Sequence, residues 1–228
     1  KSSAPKLKDR IIEALKEIKG AYCLLIMSRK KVFAVRDAYG VRPLSIGRLK
    51  DGGYIVASET CAFDLLGASF VRDVEPGEMI IFEEGKDSFE SIKIFESEPR
   101  ICAFEYIYFA RPDSHIDGVG VYNSRITAGR CLAKDSPVEA DVVVGVPESG
   151  NAAALGFSLE SGIPYGTAFV KNGYVGRTFI RPKQKNRESS VRIKLNVLKE
   201  AVEGKRVVMI DDSIVRGTTS GHIVQMLK

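Results

Sequence analysis

Val207-Val-Met-Ile-Asp-Asp-Ser-Ile-Val-Arg-Gly-Thr-Thr-Ser220 is the stretch on which the rest of the chain depends. Val207 to Ile210 is a short apolar run of the kind a buried parallel strand uses. Two adjacent carboxylates follow, Asp211 and Asp212, then a loop of small and hydroxylated residues: Ser213, Gly217, Thr218, Thr219 and Ser220. A helical stretch to Lys228 closes the unit. A loop between the end of a strand and the start of a helix presents free backbone N–H groups and the positive end of the helix dipole, so it suits a phosphate. The hydroxyls add donors, and Gly217 permits close backbone approach. Two carboxylates would repel that phosphate; they suit vicinal sugar hydroxyls or a hydrated Mg²⁺ instead. The combination describes a phosphorylated ribose. The plainer alternative is an ordinary strand-to-helix turn with an acidic cap, since Asp and Ser are good caps.

The 228 residues suffice for one large domain or two small ones, and 44% hydrophobic content allows a packed core. No apolar run approaches the roughly 20 residues of a membrane helix, and Lys1 to Arg10 does not read as a secretion signal. Cys23, Cys61, Cys102 and Cys131 are scattered, which argues against a disulfide framework and for the cytoplasm. Charge is uneven. From Lys171 to Lys194 there are eight basic residues (Lys171, Arg177, Arg181, Lys183, Lys185, Arg187, Arg192, Lys194) and one acid, Glu188. That is a local +7 in a chain of net +5, leaving −2 for the remainder. Such a segment fits a polyanionic small molecule or a solvated surface. Nucleic acid fits less well, because the chain has no Trp and no stacking platform. The chain starts at Lys1 rather than Met and stops on a helix just after the phosphate loop, so we expect a fragment lacking both termini.

Leu7, Ile11, Ile12, Leu15 and Ile18 have helical spacing, predicting a helix over Pro5–Lys19 ended by Gly20. Short strands are predicted at Ala21–Met27, Lys31–Arg36, Leu44–Gly47, Tyr54–Ser58, Ser69–Val74, Glu78–Glu83 and Ser91–Phe95, with a short helix at Glu59–Leu66. A helix followed by an antiparallel meander is α+β. Asp37, Arg42 and Glu59 read as turn or surface residues.

Glu98-Pro99 breaks this pattern, so the domain boundary is expected there, giving residues 1–98 and 99–228. Cys102 reads as a small buried hydrophobe. A helix is predicted at Val121–Ala133 and a strand at Asp141–Val146. The latter ends in Pro147-Glu148-Ser149-Gly150, with a helix from Ala152 to Glu160. This is a second strand–loop–helix unit, and two such units predict a parallel sheet with ligand loops at one edge. Tyr165–Val170 reads as another strand and Arg187–Leu198 as a helix. Between them, Gly173 and Gly176 are expected to make the stretch from Lys171 to Pro182 mobile, while its Lys171, Arg177 and Arg181 are placed to neutralise pyrophosphate. A Gly-hinged cationic loop of this kind can close over a substrate.

Val207–Ser220 resembles the phosphoribosyl-pyrophosphate (PRPP) motif of type I phosphoribosyltransferases, and its spelling is most similar to the glutamine-dependent amidotransferase members. Lys171-Asn-Gly-Tyr-Val-Gly-Arg-Thr-Phe-Ile-Arg-Pro182 resembles their flexible loop. Arg36-Asp-Ala-Tyr-Gly-Val-Arg-Pro-Leu44, Ala57-Ser-Glu-Thr-Cys-Ala-Phe-Asp64 and Val74-Glu-Pro-Gly-Glu-Met79 resemble the second half of their glutaminase domain, an N-terminal-nucleophile (Ntn) hydrolase fold. The resemblance therefore implies an α+β Ntn-type glutaminase portion followed by an α/β phosphoribosyltransferase domain. It implies that ammonia, supplied by glutamine, displaces pyrophosphate from PRPP to give phosphoribosylamine at the start of purine synthesis. By the same likeness, Asp211 and Asp212 hold the ribose hydroxyls and hydrated Mg²⁺. Ser213, Ile214, Val215, Arg216, Gly217, Thr218 and Thr219 form the 5′-phosphate loop. Glu148 and Ser149 lie in the pyrophosphate loop, Ser149 near the metal, while Lys171, Tyr174 and Arg177 close the lid. Cys102 falls where one subgroup places its first [4Fe–4S] ligand; the other three would lie beyond Lys228. Purine nucleotides are implied as feedback inhibitors, and a homo-oligomer as the assembly. The family's N-terminal cysteine nucleophile and Asn-Gly oxyanion hole do not occur here, so this stretch by itself is not expected to hydrolyse glutamine. Two rival functions share the motif: a phosphoribosyltransferase acting on a nucleobase, against which the meander domain argues, and a non-catalytic PRPP-sensing regulator, for which no nucleic-acid-binding segment is found.

Overall fold

Ile11 and Leu15 lie four residues apart on the buried stripe of helix α1 (Leu7–Lys16). In the computed structural model, which describes residues 2–171 and 195–228, that stripe packs on Phe33, Val35, Met79 and Ile81. The helix stops short of the predicted Lys19. Glu17 and Ile18 N–H donate three residues back, to Ala14 and Leu15 O (both 3.2 Å), tightening the last turn before Gly20 takes φ +101°.

The strands that follow fall close to their predicted positions: β1 (Cys23–Met27), β2 (Lys31–Arg36), β3 (Ser45–Arg48), β4 (Tyr54–Ala57), β5 (Ser69–Asp73), β6 (Glu78–Glu83) and β7 (Glu90–Lys93), with helix α2 (Cys61–Leu66) between β4 and β5. They do not form one meander. Strand β2 skips β3 and pairs with β6, giving a sheet of order β1-β2-β6-β7, while β4-β3-β5 is a second sheet; every pair is antiparallel. The period-2 rule shows why two sheets suffice. Phe33 and Val35 of β2 face α1, whereas Ala34 points the other way, onto Ile46 of β3 and Ile80 of β6. Both faces of the first sheet are thus covered with hydrocarbon.

The chain between β2 and β3 is set by polar groups that sequence reading left on the surface. Asp37 is buried. Its Oδ1 accepts the Tyr39 N–H (2.9 Å), its Oδ2 the Tyr22 N–H (3.2 Å) and its carbonyl the Gly77 N–H (2.9 Å). Glu59 Oε2 accepts the Arg111 N–H (2.7 Å) and the Ser114 hydroxyl (2.9 Å). Arg42 Nη1 lies 2.8 Å from Oε1 of the buried Glu105, whose carboxyl burial pushes up, and its guanidinium sits 4.8 Å from the Phe109 ring centroid. Glu105 and Phe109 bound a single π-helical turn.

These contacts also move the expected boundary. The chain divides into compact units Lys1–Val121 and Tyr122–Lys228 rather than at Pro99. Past Pro99 the backbone still hydrogen-bonds to the first unit: Arg100 N–H to Tyr39 O (2.7 Å), Cys102 N–H to Val41 O (3.1 Å) and His115 N–H to Thr60 Oγ1 (2.8 Å). Glu98-Pro99 ends the sheet pattern but not the fold of that unit.

Cys23 donates weakly to the Arg42 carbonyl (3.5 Å), and burial pushes its thiol up to about 11. Only the thiolate reacts with alkylating reagents. At pH 8 in the native protein, iodoacetamide is expected to modify the exposed Cys131 and spare Cys23, which reacts only as pH approaches 11. Peptide mass spectrometry reads this directly, and rapid native labelling of Cys23 at pH 8 would contradict it.

In the second unit, β8 (His115–Ile116) and β9 (Val119–Gly120) having closed the first, α3 (Val121–Asp135) leads to β10 (Val142–Gly145), α4 (Gly150–Ser161) and β11 (Tyr165–Gly166). The chain continues through β12 (Phe169–Lys171), β13 (Leu195–Val197), α5 (Lys199–Val202), β14 (Val207–Ile210) and α6 (Thr218–Leu227). The predicted parallel sheet is present, in the order β11-β10-β14. Its β-branched strands are covered on both faces, as all-parallel strands require. Val143 and Ile210 pack on Ala133 of α3 and on Ala154 and Phe157 of α4. Val142 and Val144 pack on Val202 of α5 and Ile223 of α6. Two local readings change. Tyr165–Val170 is two strands, not one, because Phe169–Lys171 leaves the sheet to pair antiparallel with Leu195–Val197. Residues 195–197, read as part of the end of a helix, are therefore extended, and Leu198 is extended too (φ -80°, ψ 90°); residues 187–194 of that prediction lie outside the described residues. No helix among the described residues is long and apolar enough to cross a membrane.

Candidate functional site

Parallel pairing places Gly145 of β10 opposite Ile210 of β14, so two βα loops leave the same edge of the sheet. The Val146 N–H donates to Ile210 O (2.8 Å) and extends the pairing one step past the strands. The loops then touch backbone to backbone. A Cβ added at Gly150 would lie 2.5 Å from Ile210 O and 3.4 Å from Asp211 Cα, so only glycine fits there. The Pro147–Glu148 peptide bond is cis.

This approach carries Ser149, last residue of the first loop, onto Asp212 of the second. Ser149 Oγ donates to Asp212 Oδ2, and Ser213 Oγ donates to Asp212 Oδ1 (2.7 Å). Each oxygen of Asp212 thus accepts a hydroxyl, one from each loop. Asp211 differs from its neighbour. It is half-buried, and burial pushes its carboxyl above the usual range; the Asp212 N–H on its Oδ1 (2.9 Å) opposes the shift, while the Asp212 charge adds to it. Two adjacent carboxylates therefore have different surroundings: one braced by hydroxyls, the other partly desolvated.

Past Ser213 the loop opens to solvent. Ser213 to Thr219 are exposed, the Ile214 and Val215 side chains at 74% and 85%. Gly217 has φ +70°, the left-handed conformation that favours glycine, and sits immediately before α6. The first-turn amides of α6, from Thr218 and Thr219 onward, have no acceptor within the helix. Carboxylates, hydroxyls and free amides are thus gathered at the C-terminal edge of a parallel sheet, where α/β folds bind ligands. Hard oxygen donors of this kind suit a hydrated Mg²⁺, which is held by one or two carboxylates and completes its shell with water and phosphate oxygens.

Beside the loops lies a cavity of about 150 Å³, lined by Gly145, Pro147, Glu148, Asn151, Tyr165 and Lys171 among others. Lys171 ends β12, with its Nζ 3.9 Å from Glu148 Oε1; both side chains are exposed, so the pair adds little stability. Tyr174 and Arg177, read with Lys171 as the lid, lie outside the described residues. Sequence reading passed over Asn151 and Tyr165. The available signal for Asn151 was a polar side chain one step inside a helix that follows a βα turn. Cys102 lies in the first unit and belongs to no group of three or more metal-ligating side chains among the described residues. A cluster needs about four thiolates, so those residues do not fit one.

Residues 4–64 match the model of a family described as "Glutamine amidotransferase domain". The amidophosphoribosyltransferase of Bacillus subtilis strain 168 is 55% identical over 224 residues, which are 97% of this chain and 46% of that protein. A solved structure of glutamine PRPP amidotransferase from B. subtilis complexed with ADP and GMP superposes with a TM-score of 0.91 at 52% identity, covering 100% of this chain and 50% of that one. Another, described as the allosteric regulatory enzyme of purine biosynthesis, has a TM-score of 0.91 at 52% identity, with 100% and 48% covered. The chain spans about half the length of the curated relatives it matches. By sequence and by fold, this chain is a homologue of the amidophosphoribosyltransferases.

Proposed function

We propose that the intact protein is an amidophosphoribosyltransferase, converting PRPP, glutamine and water to 5-phosphoribosylamine, glutamate and pyrophosphate in the first step of de novo purine synthesis. The first compact unit is then part of an Ntn-type glutaminase domain, and the second is part of a type I phosphoribosyltransferase domain. One observation carries the proposal. Ser149, Asp212 and Ser213 join two βα loops at the carboxyl edge of a parallel sheet, beside an amide-lined helix start. That constellation suits a phosphorylated sugar carrying a second anionic group.

In this reading Asp211 and Asp212 accept the ribose hydroxyls, and Ser149, Asp211 and Asp212 would hold Mg²⁺, which when bound supplies positive charge against the pyrophosphoryl oxygens. The amides and hydroxyls from Ser213 to Thr219 hold the 5′-phosphate. Lys171 bears on the pyrophosphate, and Tyr174 and Arg177 complete the lid. Ammonia forms the new C–N bond at C1 as the C1–O bond to pyrophosphate breaks. Pyrophosphate leaves readily once its charge is neutralised, so the side chains act by charge and position more than by proton transfer. Purine nucleotides are the expected inhibitors, in keeping with the ADP and GMP of the related structure. No step is assigned to an iron–sulfur cluster.

The test is pyrophosphate release from Mg²⁺–PRPP by the full-length protein, with ammonia, glutamine, hypoxanthine and orotate offered in parallel. Release with ammonia and glutamine alone is the expected result. Release with a base would move the protein to nucleobase salvage, and tight PRPP binding without release would make it a regulator.

A further inference from the structure

The first unit contains a cavity of about 980 Å³ that the proposed function does not use. It lies between α2, β5, the turn after β2 and the segment beyond Pro99. Its floor is closed by backbone geometry: a Cβ built on Gly40, which has φ +57°, would come within 2.6 Å of Pro76 Cγ. One wall is aromatic. The Phe63 and Phe70 ring centroids are 6.4 Å apart; Phe63 is buried, whereas Phe70 keeps 53% of its surface exposed. Open apolar surface with a few polar groups converging on it is how small-molecule sites are built. The charges around this wall do not cancel. Arg72 is engaged by Glu78 through Nη1 (2.8 Å) and Nη2 (2.6 Å), Asp117 by Arg36 and Asp113 by Arg111. Asp64, Asp73 and Glu75 line the same cavity with no ion-pair partner among the described residues. Asp73 is half-buried. Burial pushes its carboxyl above the usual range, and the Ser45 hydroxyl on its Oδ1 (2.6 Å) opposes the shift. The chain as a whole carries a net +5, so this negative field is local to the cavity.

We propose that this cavity binds an aliphatic polyamine, its ammonium groups held by Asp64, Asp73 and Glu75 and its methylenes lying on Phe70 and Phe63. The site belongs to the first unit alone, and the proposal stands independently of the function given above. Charge and spacing select this class of ligand. Carboxylates without cations of their own call for a guest with more than one positive charge. They come from α2, from the last residue of β5 and from the turn after it. No group of three or more metal-ligating side chains occurs among the described residues, so a single metal ion does not serve them. Positive charges spaced along a carbon chain do. The aromatic wall accepts the methylenes, and a ring face attracts an ammonium. An ammonium at Asp73 also supplies the opposite charge that favours a half-buried carboxylate.

The experiment is isothermal titration of spermidine into the full-length protein at about 0.15 M salt, where diffuse attraction between exposed charges is largely screened. Saturable binding at one site is expected. Asp73→Asn keeps an acceptor for Ser45 but loses the charge, and is expected to weaken binding about tenfold, the effect of losing one hydrogen bond to a charged group. Asp64→Asn with Glu75→Gln, at two exposed positions, is expected to weaken it about threefold. Phe70→Ala removes no charge, yet is expected to weaken binding about fivefold by taking away the wall for methylene and ammonium. A diffuse attraction of a polycation to acidic groups would not register that change. Asp211→Asn with Asp212→Asn should leave spermidine binding as it is in the parent. The inference is overturned if the parent shows no saturable binding at millimolar spermidine, or if binding is undiminished in the Asp73 and Asp64/Glu75 variants. Undiminished binding by Phe70→Ala would leave only diffuse attraction and overturn it too. So would loss of binding in the Asp211/Asp212 variant alone, which would put the cation at the phosphate loops.

Discussion

Replacing Asp211 and Asp212 together by Asn is expected to abolish measurable Mg²⁺-dependent PRPP binding while leaving the fold intact. Two negatively charged acceptors become neutral amides. Each hydrogen bond to a charged group contributes about 1.5–3 kcal/mol, so losing two lowers affinity by roughly 10²–10⁴-fold. The metal's preference for anionic oxygen adds to that loss. The fold should survive for local reasons. Ser149 and Ser213 donate to Asp212, but a hydroxyl also accepts, so each can turn to meet an amide N–H. An amide side chain at position 211 would keep an oxygen for the residue 212 N–H, which now reaches Asp211 Oδ1 at 2.9 Å. Removing the charge from Asp211 also removes a penalty, because burial already disfavours its ionised form. Thermal melting should therefore stay the same or rise. Isothermal titration of Mg²⁺–PRPP into the full-length variant decides the matter: undiminished binding, with an unchanged melting temperature, would contradict the assignment of the site.

Much of the second unit could be read directly, because its signals are local. Val142 to Gly145 and Val207 to Ile210 are β-branched or apolar at nearly every position, and each is followed within a few residues by a turn and a helix. That order dictates a parallel sheet with two loops at one edge, which brings Ser149 to Asp212 across 63 positions of sequence. What escaped reading depends on partners far along the chain. Nothing in Lys31–Arg36 says that it pairs with Glu78–Glu83 rather than with the next strand. Residues 195–198 read locally as the end of a helix, whereas the conformation of residues 195–197 is set by pairing with Phe169–Lys171. Tertiary pairing overrode local propensity there. Asn151 was passed over because its significance is a cavity, and a cavity is not a property of a short sequence window.

Arg36 was likewise read as the end of a strand, yet it holds the first unit together, and Arg36→Met is expected to cost about 3 kcal/mol or more, about 1–3 kcal/mol for each of the three carbonyls left without its donor. The Arg36 side chain is 1% exposed, and all five of its N–H donors are used. Nε donates to Arg42 O (2.9 Å), Nη1 to Val74 O (2.8 Å) and Nη2 to Gly40 O (2.9 Å). The remaining two bonds form a bidentate pair with Asp117 Oδ1 (2.8 Å) and Oδ2 (2.9 Å). One side chain therefore binds the turn after β2, the end of β5 and the segment beyond Pro99 to each other. Burial opposes its charge, and the Asp117 hydrogen bonds and charge overcome that, holding the guanidinium above its ordinary range. Methionine preserves the length and the hydrocarbon contact but strands three carbonyls and a carboxylate. Asp117→Asn separates charge from shape. Position 117 has φ +47°, a conformation asparagine tolerates, and the amide keeps one acceptor for the guanidinium. Its cost should be no more than about half that of Arg36→Met. Urea unfolding of the full-length protein, followed by a probe in the first unit, measures both. Equal losses in the two variants would show that the charge of Asp117 dominates, and a loss below about 1 kcal/mol for Arg36→Met would show that the carbonyls it binds find other donors, leaving the 99–121 segment attached by its contacts to Tyr39, Val41, Arg42, Glu59 and Thr60.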